Sequence, residues 1–263
     1  MRSARFLPLP GLTLALLLTA ACGGSAPPRS AARARGVVAT AHANADAKGA
    51  GQAWDGGAAW ADLAKLGNYA YRARTVTTGD GKSVTATIEA RYHSAKDYEL
   101  TIQQGTQKPA ELILASNGHR YLLHAGQQAP MDLGAGGSNN PFAALFETYQ
   151  LQATGPWTEL FSGSRGTYRG PCSVLGRSGS AFRVGGATPA ALGAVTGLSE
   201  KVEGTACIDV HTRAPLTAAF SWSVGSGSQA LTYSQRFQVT AIGTVPEIPA
   251  APGAKPFPGA TGS

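Results

Sequence analysis

Three cysteines, five histidines and one acidic pair are the groups in this chain whose type and spacing invite chemistry. A thiol can be acylated, oxidised or metal-bound, an imidazole pair can hold a metal or move a proton, and paired carboxylates can split acid and base roles. His119 and His124 stand five apart in a strand-like stretch, so they point to opposite faces and read as surface or rim residues. His42 lies in a polar segment without partners. Asp97 and Glu99 share a strand face, but it is the polar one, which reads as a solvated edge. No G-x-S-x-G elbow, phosphate loop or dinucleotide fingerprint is present. Gly225-Ser226-Gly227-Ser228 reads as a turn. The chain is therefore expected not to be an enzyme, and to need no metal or other cofactor.

Cys22 is read from what precedes it. Arg2 and Arg5 are followed by an apolar run from Leu12 to Leu18 and then by Thr19-Ala20-Ala21, the layout of an export signal. The run is too short to cross a bilayer, which takes about 20 apolar residues. Ala20-Ala21-Cys22 resembles a bacterial lipobox, with Thr19 where that motif usually holds an aliphatic residue. The resemblance implies that residues 1–21 are removed and that Cys22 becomes the first residue, carrying palmitate-like acyl chains on its thiol. At about 0.8 kcal/mol per buried methylene, such chains hold a domain on a membrane. The protein is then expected on the extracytoplasmic side of a cell membrane or cell envelope. The other reading is a plain secreted protein with an incidental cysteine.

Residues 22–52 read as a tether, rich in Ala, Gly, Ser and Arg, with Pro27 and Pro28 and no apolar period. Residues 53–249 are the expected domain, and 250–263, rich in Pro, Gly and Ala, an unstructured tail. The net charge of +7 is unevenly spread. Arg29, Arg33, Arg35 and Lys48 put cations in the tether, where they favour anionic lipid. Residues 53–263 hold 16 basic and 14 acidic side chains, and with no Lys/Arg cluster they argue against a nucleic-acid partner.

If Cys22 is acylated, Cys172 and Cys207 remain. In an exported domain they are expected to form a disulfide. Buried free thiols are the alternative. A metal site is a poor one, because His211 is the only nitrogen ligand at suitable spacing.

The elements follow from periodicity. Trp60, Leu63, Ala64 and Leu66 share a helical face that ends at Gly67. Tyr69, Tyr71 and Ala73 then alternate with polar residues. Asp80-Gly81 signals a hairpin. Val84, Ala86, Ile88, Ala90 and Tyr92 form one face of the next strand, and Tyr98, Leu100 and Ile102 one face of the strand after it. Leu112 to Leu114 and Tyr121 to Leu123 flank a turn at Asn117-Gly118. A Gly-rich loop over 126–139 reads as a lid or connector. Asn140-Pro141 starts a helix with Phe142, Leu145, Phe146 and Tyr149 in one stripe. Gly155-Pro156 separates it from a second sheet segment, obscure over the Gly/Ser/Ala-rich residues 176–205. Leu216 to Val224, with Phe220 and Trp222, and Leu231 to Val239 end the domain as two strong strands.

Several stretches together resemble the LolA-like fold of lipoprotein carriers and of LppX–LprG-type lipoproteins. They are Leu66 to Tyr71, Tyr92-His93-Ser94-Ala95-Lys96-Asp97-Tyr98-Glu99-Leu100, Asn117-Gly118-His119-Arg120-Tyr121, Met131-Asp132-Leu133-Gly134 and Cys207-Ile208-Asp209-Val210. The likeness runs over roughly residues 55–249. It implies an α+β fold in which a strongly curved antiparallel β-sheet, a half-barrel, covers a few helices around an apolar cavity. The implied ligand is a lipid or glycolipid. Its cavity candidates are Tyr69, Tyr71, Val84, Ile88, Tyr92, Leu100, Ile102, Phe142, Phe146, Phe220 and Trp222, and the same side chains equally suit a filled core. A filled core would leave a sensor or interaction module with an envelope protein as partner.

Overall fold

A computed structural model describes residues 54–114, 118–123, 127–135, 146–147, 150, 154, 157–158, 160–187, 201–225, 230–251 and 253–256. The signal, Cys22, the tether, Phe142, the start of the helix at Asn140 and the obscure stretch 188–200 lie outside these residues. The described residues belong to one compact unit within 41–263.

The unit opens with α1 (Gly56–Ala61), capped by Asp55, whose carboxylate accepts from the Ala58 N–H at 3.0 Å. A 3-10 turn (Asp62–Leu66) continues it and stops at Gly67, whose φ of 72° suits a residue without a Cβ. Strands follow: β1 (Tyr69–Gly79), β2 (Lys82–Ser94), β3 (Asp97–Gln104), β4 (Ala110–Leu114), β5 (His119–Leu123) and β6 (Met131–Ala135). After the helical residues 146–162 that are described come β7 (Arg165–Val174), β8 (Arg177–Ala187), β9 (Lys201–Asp209), β10 (Pro215–Val224), β11 (Leu231–Ile242) and β12 (Lys255–Pro256).

All twelve strands form one open sheet in the order β12-β6-β5-β4-β3-β2-β1-β11-β10-β9-β8-β7. Two meanders, β1 to β6 and β7 to β11, meet where β1 pairs antiparallel with β11, from Tyr69 opposite Ile242 to Thr78 opposite Thr232. The described neighbours are antiparallel except β12 beside β6. The antiparallel sheet with few helices agrees with the expected class. The second sheet segment, β7 to β11, continues the first as part of the same sheet.

One face is apolar and covered. Phe182, Phe220, Phe237 and Val239 on the strands close against Phe146, Trp157, Leu160 and Phe161, all of them at most 3% exposed. Trp157 and Phe161 meet Phe220 and Phe237 as tilted or edge-on rings 5.4–6.3 Å apart. Burying one such ring contributes roughly 1.5–3 kcal/mol. The other face carries Arg, Thr, Ser, Glu and Gln.

Three sequence expectations need correction. Residues 131–135, inside the expected lid, are strand β6 paired with β5. Residues 250–263 are not an unstructured tail throughout, because Ala251 is buried against Tyr121 and Ile113, and Lys255–Pro256 pairs with β6. Asp97 is not on a wet edge. The β2–β3 register shifts between Tyr92 and Ser94, Asp97 is 3% exposed, and its carboxylate accepts from the Ile248 N–H at 3.2–3.3 Å. The chain after β11 thus crosses the sheet as a strap, held also by Asn68, which accepts from the Val245 N–H (2.8 Å) and donates to its carbonyl (2.7 Å).

Cys172 of β7 and Cys207 of β9 form the expected disulfide across β8. It passes over Gly179, where a Cβ would lie 2.7 Å from one sulfur and 2.8 Å from the other. Beside it, the fully buried Asp209 organises the β9–β10 turn. It accepts from the His211 N–H (2.9 Å), the Thr212 N–H (2.7 Å) and Arg177 Nε (2.6 Å). Burial pushes its carboxyl up, but the Arg177 and turn hydrogen bonds outweigh burial and bring it down to about 2.

Gly179→Val is expected to block the disulfide. Thiol titration should then find two further free thiols, and denaturant unfolding a loss of about 4 kcal/mol, the chain-entropy value for a loop of this size. Asp209 should contribute about 2 kcal/mol that is complete above pH 4 and disappears as pH falls toward 2, because its folded pKa is the lower one. Unfolding of Asp209→Asn should be weaker at neutral pH and lack that acid-side decline.

Candidate functional site

At one end of the covered face the packing is incomplete. A cleft of about 320 Å3 lies between the α1 segment and the first three strands. Its wall on the sheet is a ladder of tyrosines. Tyr69, Tyr92 and Tyr98 are directly opposite one another on β1, β2 and β3, and their rings stack 4.8 and 4.9 Å apart. Tyr71, two residues along β1, has its ring 6.3 Å from that of Tyr92. Period-two alternation puts all four on one face.

The facing wall comes from Trp60, Leu63 and Ala64, with Gln150 and Thr154 beside them. Trp60 is held by Trp157 and Phe161, stacked at 6.1 and 5.5 Å, and by the edge contact with Phe237 at 5.5 Å. α1 reaches this position because Gly56 approaches the Phe161 carbonyl so closely that a Cβ would sit 1.9 Å from its oxygen. Gly67 then turns the chain into β1, and Asn68 fastens that corner to the strap.

Of the cavity candidates, the structure places Tyr69, Tyr71 and Tyr92 together along this cleft. It separates the other candidates. Leu100, Phe146, Phe220 and Trp222 are at most 4% exposed in closed core. Ile88 and Ile102 are half-buried opposite one another on β2 and β3 and do not line the cleft. Val84 is corrected outright: at 52% exposure it lies near the turn end of the β1–β2 hairpin. Phe142 lies outside the described residues. Trp60, Leu63, Tyr98, Gln150 and Thr154 were missed, although the helical stripe and the strand alternation had already marked Trp60, Leu63 and Tyr98.

The cleft offers stacking surface, apolar area and hydroxyl or amide edges. No acidic, basic or thiol group is among the described residues that line it. Burial raises all four tyrosines, with neighbouring phenols adding to this for Tyr69 and Tyr92, and Tyr98 is pushed up to about 12. The hydroxyls therefore stay protonated near neutrality and serve as neutral donors and acceptors. Elsewhere, His119 donates from Nδ1 to Asp132 at 3.0 Å, tying β5 to β6. Asp132 also accepts from the Gly134 N–H at 2.7 Å. This pair is remote from the cleft lining.

With this geometry the chain is similar to several solved structures. One is the lipoprotein LppX of Mycobacterium tuberculosis, at 15% identity over 71% of this chain and 92% of that one, with a TM-score of 0.36. Another is LprF of Mycobacterium bovis, at 10% identity over 74% and 96% of the two chains, with a TM-score of 0.34. A third is a LolA superfamily protein of Nitrosomonas europaea, at 6% identity over 75% and 95%, with a TM-score of 0.25. No protein-family profile matches the chain, and no curated protein matches it in sequence.

Raised phenol pKa values give stability that is complete below pH 10 and is lost as pH climbs toward the folded values. In an alkaline titration followed by tyrosinate absorbance, at least four of the eight tyrosines should ionise late, together with unfolding. Tyr92→Phe should remove one of them and, since the ring stacking with Tyr69 and Tyr98 is kept, leave the fold in place.

Proposed function

We infer that this protein is an exported, membrane-anchored binding lipoprotein that takes an amphiphile into the tyrosine-walled cleft and performs no catalysis. The observation that supports this best is the cleft itself, an unfilled space on an otherwise densely filled face. Its volume lies at the lower end of the roughly 300–1,000 Å3 typical of ligand pockets. It suits one acyl segment or one ring with a polar edge, such as part of a lipid or glycolipid, better than a whole multi-chain lipid. Burial of apolar area would drive entry at about 25 cal/mol per Å2, and the neutral hydroxyls would orient the polar end. Cys22 would supply the anchor, as its lipobox-like setting implies, and residues 22–52 the tether on the extracytoplasmic side.

One observation favours a second reading. Leu100, Phe146, Phe220 and Trp222 are buried and none of them lines the cleft, so these candidates act as filled core among the described residues. On that reading the domain is an interaction or sensor module for an envelope protein, and the cleft stays empty.

The test uses the chain with Cys22→Ser, exported in its own host and collected from the soluble fraction. Native mass spectrometry should show a copurified amphiphile, and a brominated fatty acid should quench Trp60 emission. Thr154→Trp, which fills the cleft mouth, should lose both signals. Absence of an adduct, together with unquenched emission, would leave the interaction module as the surviving reading. If the Cys22→Ser chain still fractionates with membranes as the parent does after a high-salt wash, which removes electrostatic binding, the anchor assignment fails.

A further inference from the structure

The uncovered face of the sheet carries a pairing that stability does not explain. Arg74 of β1 and Arg236 of β11 are directly opposite each other at the central seam, and both are exposed. Side chains so placed have Cβ atoms about 4.5–5.5 Å apart, and like charges there are destabilising. The register extends the row across seven strands as Arg183, Thr205, Ala219, Arg236, Arg74, Thr87 and Gln103. It holds three arginines and no acid.

The flanking rows do not neutralise it. Glu89, the diagonal neighbour of Arg74, is engaged by Arg72 through both Nε and Nη2. Glu203, in the other flanking row on β9, is the diagonal neighbour of Arg183 but lies two strands from Arg236, so the seam pair of Arg74 and Arg236 has no acid of its own. The remaining arginines of this face that have ion partners are matched one to one, Arg91 with Glu99 and Arg177 with Asp209. No ion pair joins Arg74, Arg183 or Arg236 to a carboxylate among the described residues.

We propose that this row is a docking surface for the anionic headgroups of a membrane. Arginine presents a planar fork that binds phosphate through two parallel hydrogen bonds, and two forks side by side at the seam suit one phosphate or two adjacent ones. Around them on this face stand Arg72, Val76, Gln238, Ala219, Thr87, Ser221 and Ser234; the small and hydroxyl-bearing ones let headgroups approach and donate to phosphate oxygens. Protein interfaces are instead centred on buried aromatic or large apolar anchors, and this row offers none. The occupant is therefore a lipid surface and not an acidic protein. Because neighbouring residues of a strand point to opposite faces, headgroups held here lie on the side of the sheet away from the tyrosine cleft. The proposal is independent of whether the cleft binds anything.

The test uses the full mature chain with Cys22→Ser, so that no acyl anchor contributes and the basic tether is common to all variants. Cosedimentation is measured with vesicles of phosphatidylcholine alone and of phosphatidylcholine mixed equally with phosphatidylglycerol, at low and high ionic strength. Binding should require the anionic lipid and weaken with salt. Arg74→Gln and Arg236→Gln should each reduce the affinity roughly fivefold, and the double variant roughly 25-fold. Lys82→Gln, at the hairpin turn, should change it little. Melting temperatures of the Arg variants should stay level or rise, since a repulsion is relieved. Vesicle binding that is unchanged in the double variant overturns the proposal. So does a melting temperature that falls while binding persists, which would make the pair structural. So does Arg74- and Arg236-dependent binding to polyglutamate without binding to the anionic vesicles, which would assign the row to an acidic protein.

Discussion

Strand β1 begins at Tyr69 and β11 ends at Ile242, and their ten in-register pairs join the two meanders. That seam is the constraint on which the rest depends. Without it, β1 to β6 and β7 to β11 are two separate sheets, each with one exposed apolar face. With it, the helical residues between the meanders can cover both halves at once: Phe146 meets Tyr98 of β3, Trp157 meets rings of β10 and β11, and Trp60 reaches β11 from the chain's other end. Closing the seam links residues far apart in sequence, so its loop entropy must be met before the packing reward arrives. The disulfide and the strap act on either side of it, one tying β7 to β9, the other carrying the chain from β11 toward β6.

Much of the sheet was legible because period-two alternation is a local signal. Tyr69, Tyr71, Val84, Ile88, Tyr92, Leu100, Phe220 and Phe237 were all assigned to the correct strand faces. Alternation says which way a side chain points, not what it meets. Val84 and Leu100 carry the same signal, yet one lies near an uncovered hairpin turn and the other is sealed. Which strands pair across the seam is a long-range choice that no local pattern encodes. Asp97 was misread because a register shift and a distant Ile248 N–H turn a nominally wet position into a buried one. Strands β6 and β12 escaped because Gly134 and Pro256 stand within short runs whose composition reads as loop.

The candidate site was half legible for a related reason. A filled core and an open cleft have the same apolar pattern, and only packing distinguishes them. Over Phe220 and Phe237 the aromatic rings of residues 157 and 161 occupy the space. Over Tyr69 and Tyr92 the opposing wall includes Trp60 and Leu63, but beside them stand Ala64, Gly67, Thr154 and Gln150, which are too small or too polar to complete the core. The cleft is thus a consequence of side-chain volume on the covering segments. The tyrosines beside it keep hydroxyls where a phenylalanine ladder would pack equally well by area.

The two faces of the seam strands then divide the work residue by residue. On β1, Tyr71 and Ala73 point into the covered side while Arg72 and Arg74 point out. On β11, Phe237 and Arg236 do the same. A substitution at one face leaves the other in place, because adjacent side chains share a backbone but no contacts. The rigid part of the molecule is the aromatic packing behind the seam, and it fixes the spacing of the arginines in front of it. The β-ladder fixes the two Cβ atoms opposite each other and leaves the long, exposed side chains free to spread their charged ends into water, so a like-charge pair can persist here at a modest cost.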